Sequence, residues 1–396
     1  MLKSKIRISL VTALAALSMS CSQNAGTTDS HKQFLESQLQ LMVSESDKHL
    51  DDSDGKASPR CLEKDGSLRL VAPYNWCSGF FPGVLWYMYE YTGNDFWMQK
   101  AKVYTERLEH VKKFDKIHDL GFMLYSCYGN GYRLTGDEKY KEVLIEAAKT
   151  LSTRYNDKIG CIRSWDFGTW NYPVIVDNMI NLELMFFATE VTGDSIYRNI
   201  AISHADNTLK NHFRPDFSSY HVVDYNNDGT VKSKGTHQGL NDESVWSRGQ
   251  SWGAYGYTMC YRFTKDTRYL QQAENIIDYF FSISTLPDNL IPYWDMADPK
   301  IPDTPRDVSA AAVFASALYE LSGYVDAEKS AKYIGIADKI MDSLKKSYLC
   351  KKGESHGFIL DHSTGNLPAG DEIDVPIIYA EYYYLEALNR RSKLAL

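Results

Sequence analysis

From residue 76 to the end of the chain, apolar stretches of helical length alternate with amphipathic ones, and one short polar pattern recurs at the changeovers. It reads Thr92-Gly93-Asn94 with Trp97, Thr135-Gly136-Asp137 with Tyr140, and Thr192-Gly193-Asp194 with Tyr197. Weaker copies are Thr264-Lys265-Asp266 with Tyr269, and Ser322-Gly323. Four copies carry alanine nine positions on, at Ala101, Ala201, Ala273 and Ala331. Glycine is suited to ending a helix and Asp or Asn to capping the next, so each unit predicts a helix hairpin. The copies lie 43, 57, 72 and 58 residues apart, too far and too unevenly for a tight solenoid with a repeat of about 34. An apolar helix at 375–390 and an amphipathic one at 32–48, behind Asp29-Ser30, complete the set. The expected fold is all-α, an (α/α)6 barrel with six inner and six outer helices. A small β-hairpin insertion is expected near 220–235, where Asp224-Tyr-Asn226-Asn-Asp228-Gly229 lies between β-branched residues.

The apolar helices are expected to start near Trp76, His118-Asp119, Val176-Asp177, Arg248–Trp252, Arg306-Asp307 and Asp371–Asp374. A ring of helices entering from one side gathers these starts around one mouth. Helix capping is the plain explanation for isolated aspartates, but it does not require tryptophan, His-Asp or Arg-x-x-x-Trp. Asp119 and Asp177 each stand among apolar neighbours, where burial disfavours charge. Two such carboxyls across one pocket push their pKa values apart and leave one protonated. Arg248 and Trp252, one helical turn apart, offer a fork for a carboxylate and a face for a sugar ring. Two other patterns mislead. Gly249-Gln-Ser251-Trp-Gly253 matches a nucleophile elbow but lacks the strand that must enter it. The acidic run at 224–229 lacks the glutamate of a calcium loop, Gly235 standing in its place. There is no Walker loop, dinucleotide fingerprint or H-E-x-x-H motif.

Composition narrows the partners. Aromatics are 13% of the chain, with 28 Tyr and 8 Trp, beyond what a core requires and suited to sugar stacking. The net charge of −8 argues against docking along nucleic acid. Lys3, Lys5 and Arg7 precede an apolar run at 8–17 that is too short to span a bilayer and reads as a signal-peptide core. Small residues then lead into Cys21 and a polar tether. The expected organisation is a signal peptide at 1–20, lipidated Cys21 with a tether to 31, and one catalytic domain at 32–396. Plain secretion is the rival reading. Ser22-Gln23-Asn24 carries no acidic surface-export signal, which favours the periplasmic face of the outer membrane, with the lipid as sole membrane contact. The other six cysteines lie in apolar surroundings without C-x-x-C or zinc spacing, as expected of core thiols.

With these residues in place, the chain resembles the unsaturated glucuronyl hydrolases, family 88 of the glycoside hydrolases. The matching pieces are Asn75-Trp76 with Gly79-Phe80, His118-Asp119-Leu-Gly-Phe122, Val176-Asp177-Asn178-Met179, Tyr220-His221, Thr236-His-Gln238-Gly, Arg248-Gly-Gln-Ser-Trp252-Gly, Asp307-Val-Ser-Ala-Ala and Tyr382-Tyr-Tyr-Leu-Glu-Ala-Leu388. They run in family order from about residue 32. The resemblance implies an (α/α)6 barrel that removes a 4,5-unsaturated uronic acid from the non-reducing end of oligosaccharides made by a polysaccharide lyase, glycosaminoglycan disaccharides first. It implies hydration of the C4=C5 vinyl ether with Asp177 as general acid and base, Asp119 as the second essential acid, and neither metal nor cofactor. Trp76, His221, Thr236, Gln238, Arg248 and Trp252 map to sugar contacts. Arg248 is expected beside the substrate carboxylate, because a buried anion needs a partner. Two places depart from the family: Glu381, where Asp is commoner, and 356–371, expected to shape the leaving-sugar side. The alternatives are an unsaturated rhamnogalacturonyl hydrolase acting on pectin fragments, a hydrolase of saturated glycans, and a lipid-anchored protein that only captures glycans.

Overall fold

The computed structural model describes residues 30–394. Helix α1 covers residues 30–47. Five helix hairpins follow: α2 (Phe80–Thr92) with α3 (Asp95–Glu106), a π-helical segment (Gly121–Gly129) running into α4 (Asn130–Thr135) with α5 (Glu138–Ser152), α6 (Asn178–Thr192) with α7 (Ser195–Asn211), α8 (Ser247–Thr264) with α9 (Thr267–Phe281), and α10 (Val308–Leu321) with α11 (Ala327–Ser347). The chain ends on α12 (Ile378–Leu394). The apolar first members, with α12, pack in a closed circle: α2 on the π segment, then α6, α8, α10, α12 and back to α2. The amphipathic helices lie outside, which is the (α/α)6 barrel expected from the alternation.

The polar pattern works as anticipated at four turns. Gly93, Gly136, Gly193 and Lys265 each take a left-handed φ (69°, 69°, 74° and 57°), and Asn94, Asp137, Asp194 and Asp266 cap the following helix by accepting a backbone N–H two residues on. The fifth copy differs. After α10 the chain makes a 3-10 turn at Ser322–Tyr324, and the cap is Asp326, so Ala331 faces solvent and Tyr333 takes the buried position. The repeating core position is seven residues after the cap rather than nine after the threonine: Ala101, Leu144, Ala201, Ala273 and Tyr333 are all buried.

Short strands decorate one end of the ring. They form three antiparallel pairs, β1 (Ser58–Leu62) with β2 (Leu68–Val71), β3 (Tyr155–Asn156) with β4 (Cys161–Ile162) and β8 (Ser363–Asn366) with β9 (Asp371–Val375), and one sheet of β5 (Pro173–Ile175), β6 (Val222–Tyr225) and β7 (Val231–Gly235). The expected hairpin is β6–β7, closed by a turn at Asn226–Gly229. Residues 371–374 do not start the last inner helix, as the apolar pattern suggested. They pair with β8 as a strand, and Pro376 disfavours helix at Val375, so α12 begins at Ile378.

Candidate active site

A cavity of about 350 Å³ opens at the N-terminal ends of the inner helices. Trp76, Asp119, Asp177, Gln238 and Arg248 all line it. The expected gathering of helix starts is therefore real for five of the site residues, contributed by four different hairpins and the sheet insertion.

Asp177 stands immediately before α6, yet its side chain does not cap that helix. Its Oδ2 is buried without a hydrogen-bond partner, and His221 Nε2 is the nearest base, at 3.5 Å. The sheet creates this proximity: β5 pairs with β6, and the Val176 N–H donates to the His221 carbonyl. On the other side of the ring, His221 Nδ1 accepts from the backbone N–H groups of His237 and Gln238, at 3.1 and 3.2 Å. Two donors on Nδ1 leave the ring hydrogen on Nε2, facing Asp177. Burial alone raises the Asp177 carboxyl, but the His221 N–H, and after it the positive charge of Arg248, outweigh it and hold it below the ordinary carboxylate value.

Asp119 behaves oppositely. Burial, then the negative charge of Asp177, pushes it up to about 8, against a smaller opposing effect of Asn181. His118 Nε2 lies 3.2 Å from its Oδ1, and burial drives that imidazole down to about 3, so it adds no positive charge at neutral pH. The two carboxyls are thus shifted in opposite directions. In the free protein the proton sits on Asp119, while Asp177 is the carboxylate, because Asp177 has the cationic and N–H neighbours and the positive end of α6.

Arg248 is buried and already engaged. Its Nη1 donates to Asp307 Oδ2 at 2.8 Å and to the Thr364 carbonyl at 2.6 Å, and its Nη2 to the Gly365 carbonyl at 2.5 Å. Its guanidinium also lies over the rings of Trp246 and Tyr379. The expected open fork for a carboxylate is therefore largely spent on Asp307 and β8, leaving Nε and one Nη2 hydrogen. Thr236 sits behind the lining, its hydroxyl accepting from the Gly239 N–H and turning the loop that presents Gln238. Trp252 has no exposed surface and packs against Phe122 and Tyr383 beneath the cavity floor, so it offers no open stacking face in this structure.

The sequence profile described as Glycosyl Hydrolase Family 88 matches residues 53–392. The chain belongs to glycosyl hydrolase family 88. It is 49% identical over 331 residues to an unsaturated glucuronyl hydrolase of Formosa agariphila, covering 82% of each chain. A crystal structure of an unsaturated glucuronyl hydrolase specific for heparin superposes with a TM-score of 0.87 at 44% identity, over 92% of this chain and 97% of that one. A variant of the Streptococcus agalactiae enzyme complexed with dGlcA-GalNAc6S superposes with a TM-score of 0.73 at 28% identity, over 91% and 92% of the two chains.

This family 88 glycoside hydrolase also has lining residues that sequence reasoning missed. Arg60, from β1, holds Glu372 of β9 through Nε and Nη2 at 2.5 and 3.0 Å, and its Nη1 reaches Asn75. Trp165 and Phe167 stack at 4.8 Å beside His237 and Trp170 on the rim. Arg154 holds that rim loop through both oxygens of Asp166. The aromatic density of residues 165–172 was the available signal. Arg60 and Glu372, more than 300 residues apart, gave none. Glu381 is buried away from the cavity, accepting the backbone N–H groups of Ile359 and Leu360, with burial raising it to about 8. Among the described residues no cluster of His, Cys, Asp or Glu has the arrangement to hold a metal ion, and Cys61, Cys77, Cys127, Cys161, Cys260 and Cys350 are buried free thiols.

Proposed function

We propose that this chain removes the 4,5-unsaturated uronic acid from small glycosaminoglycan oligosaccharides by hydrating the C4=C5 bond, with Asp177 and Asp119 as the reacting pair. The observation that carries this reading is the split carboxyl pair, Asp119 raised and Asp177 lowered, in one cavity lined by tryptophan and arginine. An incoming uronate brings its own negative charge beside Asp177. Like charge raises a carboxyl, so binding draws the pair's proton from Asp119 to Asp177. Asp177 then gives that proton to C4, the ring gains oxocarbenium character, and water adds to C5 while the Asp177 carboxylate takes the water's proton. The resulting hemiketal opens and releases the neighbouring sugar. Atoms and charge balance without a covalent intermediate.

His221 orients Asp177, Trp76 supplies an apolar face, and Gln238 and the remaining N–H groups of Arg248 meet the sugar's oxygens. Thr236 acts through its loop, and Trp252 through the floor. The substrate's double bond is the product of a β-elimination, so a polysaccharide lyase acts upstream. Segment 1–20 as an export signal, Cys21 as a lipidated anchor and a place on the periplasmic face belong to the same proposal; they lie outside the described residues.

The test follows the ultraviolet absorbance of the carboxylate-conjugated C4=C5 bond. Purified protein is mixed with unsaturated chondroitin, heparin and pectin disaccharides. Absorbance should fall with the glycosaminoglycan substrates, and Asp177→Asn should slow that fall by about 10³-fold. Equal rates for Asp177→Asn and wild type, or turnover of pectin fragments alone, would remove the reading.

A further inference from the structure

We propose that Asn181 is the positioning residue of the carboxyl pair, a role that rests on reading Asp119 and Asp177 as the reacting groups. Asn181 lies on α6 one turn beyond Asp177, so the two side chains share a helix face. It is buried completely, and its Oδ1 accepts the backbone N–H of Phe122 at 3.0 Å. That bond fixes the amide plane. With the oxygen committed to Phe122, the Nδ2 group is buried without a hydrogen-bond partner of its own, and Asp119 is the acid that its N–H lowers.

The neighbouring backbone is shaped to permit this. Phe122 belongs to the first turn of the π segment, where backbone N–H groups lack partners within the helix and are open to a side chain. Gly121 sits against Asn181. A Cβ there would fall 2.6 Å from the Asn181 Cα and 2.7 Å from its Oδ1, so any larger residue would push the amide away from Asp119.

A buried N–H donor with no acceptor is costly, and the cost is relieved when Asp119 becomes a carboxylate. Asn181 therefore favours release of the Asp119 proton and opposes the groups that retain it. Those groups are burial and the Asp177 charge. His118 faces Asp119 from its own segment, Arg154 from the end of α5 with a favourable positive charge, and Cys77 from the turn before α2. Among them Asn181 alone offers an N–H donor from the same helix that carries Asp177. The Asp119 proton is thereby kept transferable rather than locked in place.

The experiment uses the full chain with Asn181→Asp and Asn181→Leu. The first keeps an oxygen for Phe122 and loses the donor; the second has similar volume and loses both. Each should move the alkaline limb of the kcat profile upward by about half a pH unit or more. Each should lower kcat by about tenfold at neutral pH with KM changed less than about twofold. A limb that stays in place in both variants overturns the proposal, whatever happens to the melting temperature. Asp119→Asn serves as the reference: if it keeps wild-type kcat, the carboxyl pair itself is misread. If it is inactive while the limb does not move in the Asn181 variants, only the role of Asn181 falls.

Discussion

The two ends of the helix ring both bury carboxylates, and they treat them differently. At the far end, Glu183, Glu320 and Glu386 meet Arg262 and Arg390. Arg262 pairs with Glu183 and, at 3.2 Å, with Glu320; Arg390 pairs with Glu320 at 2.8 Å and Glu386 at 3.3 Å. Glu386 also accepts from the hydroxyls of Tyr87, Tyr255 and Ser316, so it is saturated with donors. The inner helices end there, and the arginines complement their negative C-termini. At the active end, Asp177 Oδ2 has no hydrogen-bond partner, and Asp119 carries a proton rather than a cationic partner. Saturated charge lines one end of the barrel, while unsatisfied charge makes the other reactive.

That contrast can be broken from either side. The largest stability effect is expected at the far end. Arg390→Met leaves Glu320 with Arg262 as its cation and Glu386 with hydroxyl donors in place of a cation, and removing one member of a buried ion pair costs about 3 kcal/mol or more. Denaturant unfolding should show that loss, while the pH dependence of activity stays where it was. At the active end the sign reverses. Asp119 is raised from 3.8 to about 8, so between those values the folded chain holds a proton that the unfolded chain has released. Stability therefore falls as pH rises through that window. Asp119→Asn removes the penalty and should raise the melting temperature by about 3 °C at pH 8, with no gain at pH 4, while abolishing most activity. A variant less stable than wild type at pH 8 would contradict the assigned proton. The smallest effect concerns an aspartate that only caps. Asp194→Ala removes an acceptor from the Ile196 N–H and should cost about 1 kcal/mol with kcat unchanged.

These aspartates also show what one sequence discloses. Asp137, Asp194 and Asp266 announce themselves by the glycine or lysine turn before them and the amphipathic helix behind. Asp119 and Asp177 are distinguished as single acids set in largely apolar stretches, a local property, and so was the β6–β7 turn. The distribution of the proton was not legible, because it depends on His221 and Arg248 reaching Asp177 from 44 and 71 residues away. Nor was the fate of Arg248, whose fork is filled by Asp307 and by two carbonyls of a strand more than 100 residues downstream. Trp252 was correctly set one turn from Arg248, but helical spacing gives direction and not depth. The depth is set by Phe122 and Tyr383, which arrive from other hairpins.

The sixth hairpin is built from the two extremes of the described chain, and that has a consequence for assembly. α1 is tied to late-made segments: the Tyr384 hydroxyl bonds to His31 at 2.9 Å, and Gln38 bonds to the Phe358 carbonyl and the Gly353 N–H, both at 2.6 Å. Asp47, at its other end, holds Lys100 and Tyr104 of α3. Five hairpins can form as local units while the polypeptide emerges, but circle closure waits for α12. Until then α2 exposes the apolar flank that α12 will cover. The clasp between beginning and end is thus the contact of highest sequence separation and the slowest to be won. A permuted chain that links residue 394 to residue 30 and opens at the solvent-facing turn beside Gly193 would turn that clasp into a local hairpin and should fold faster.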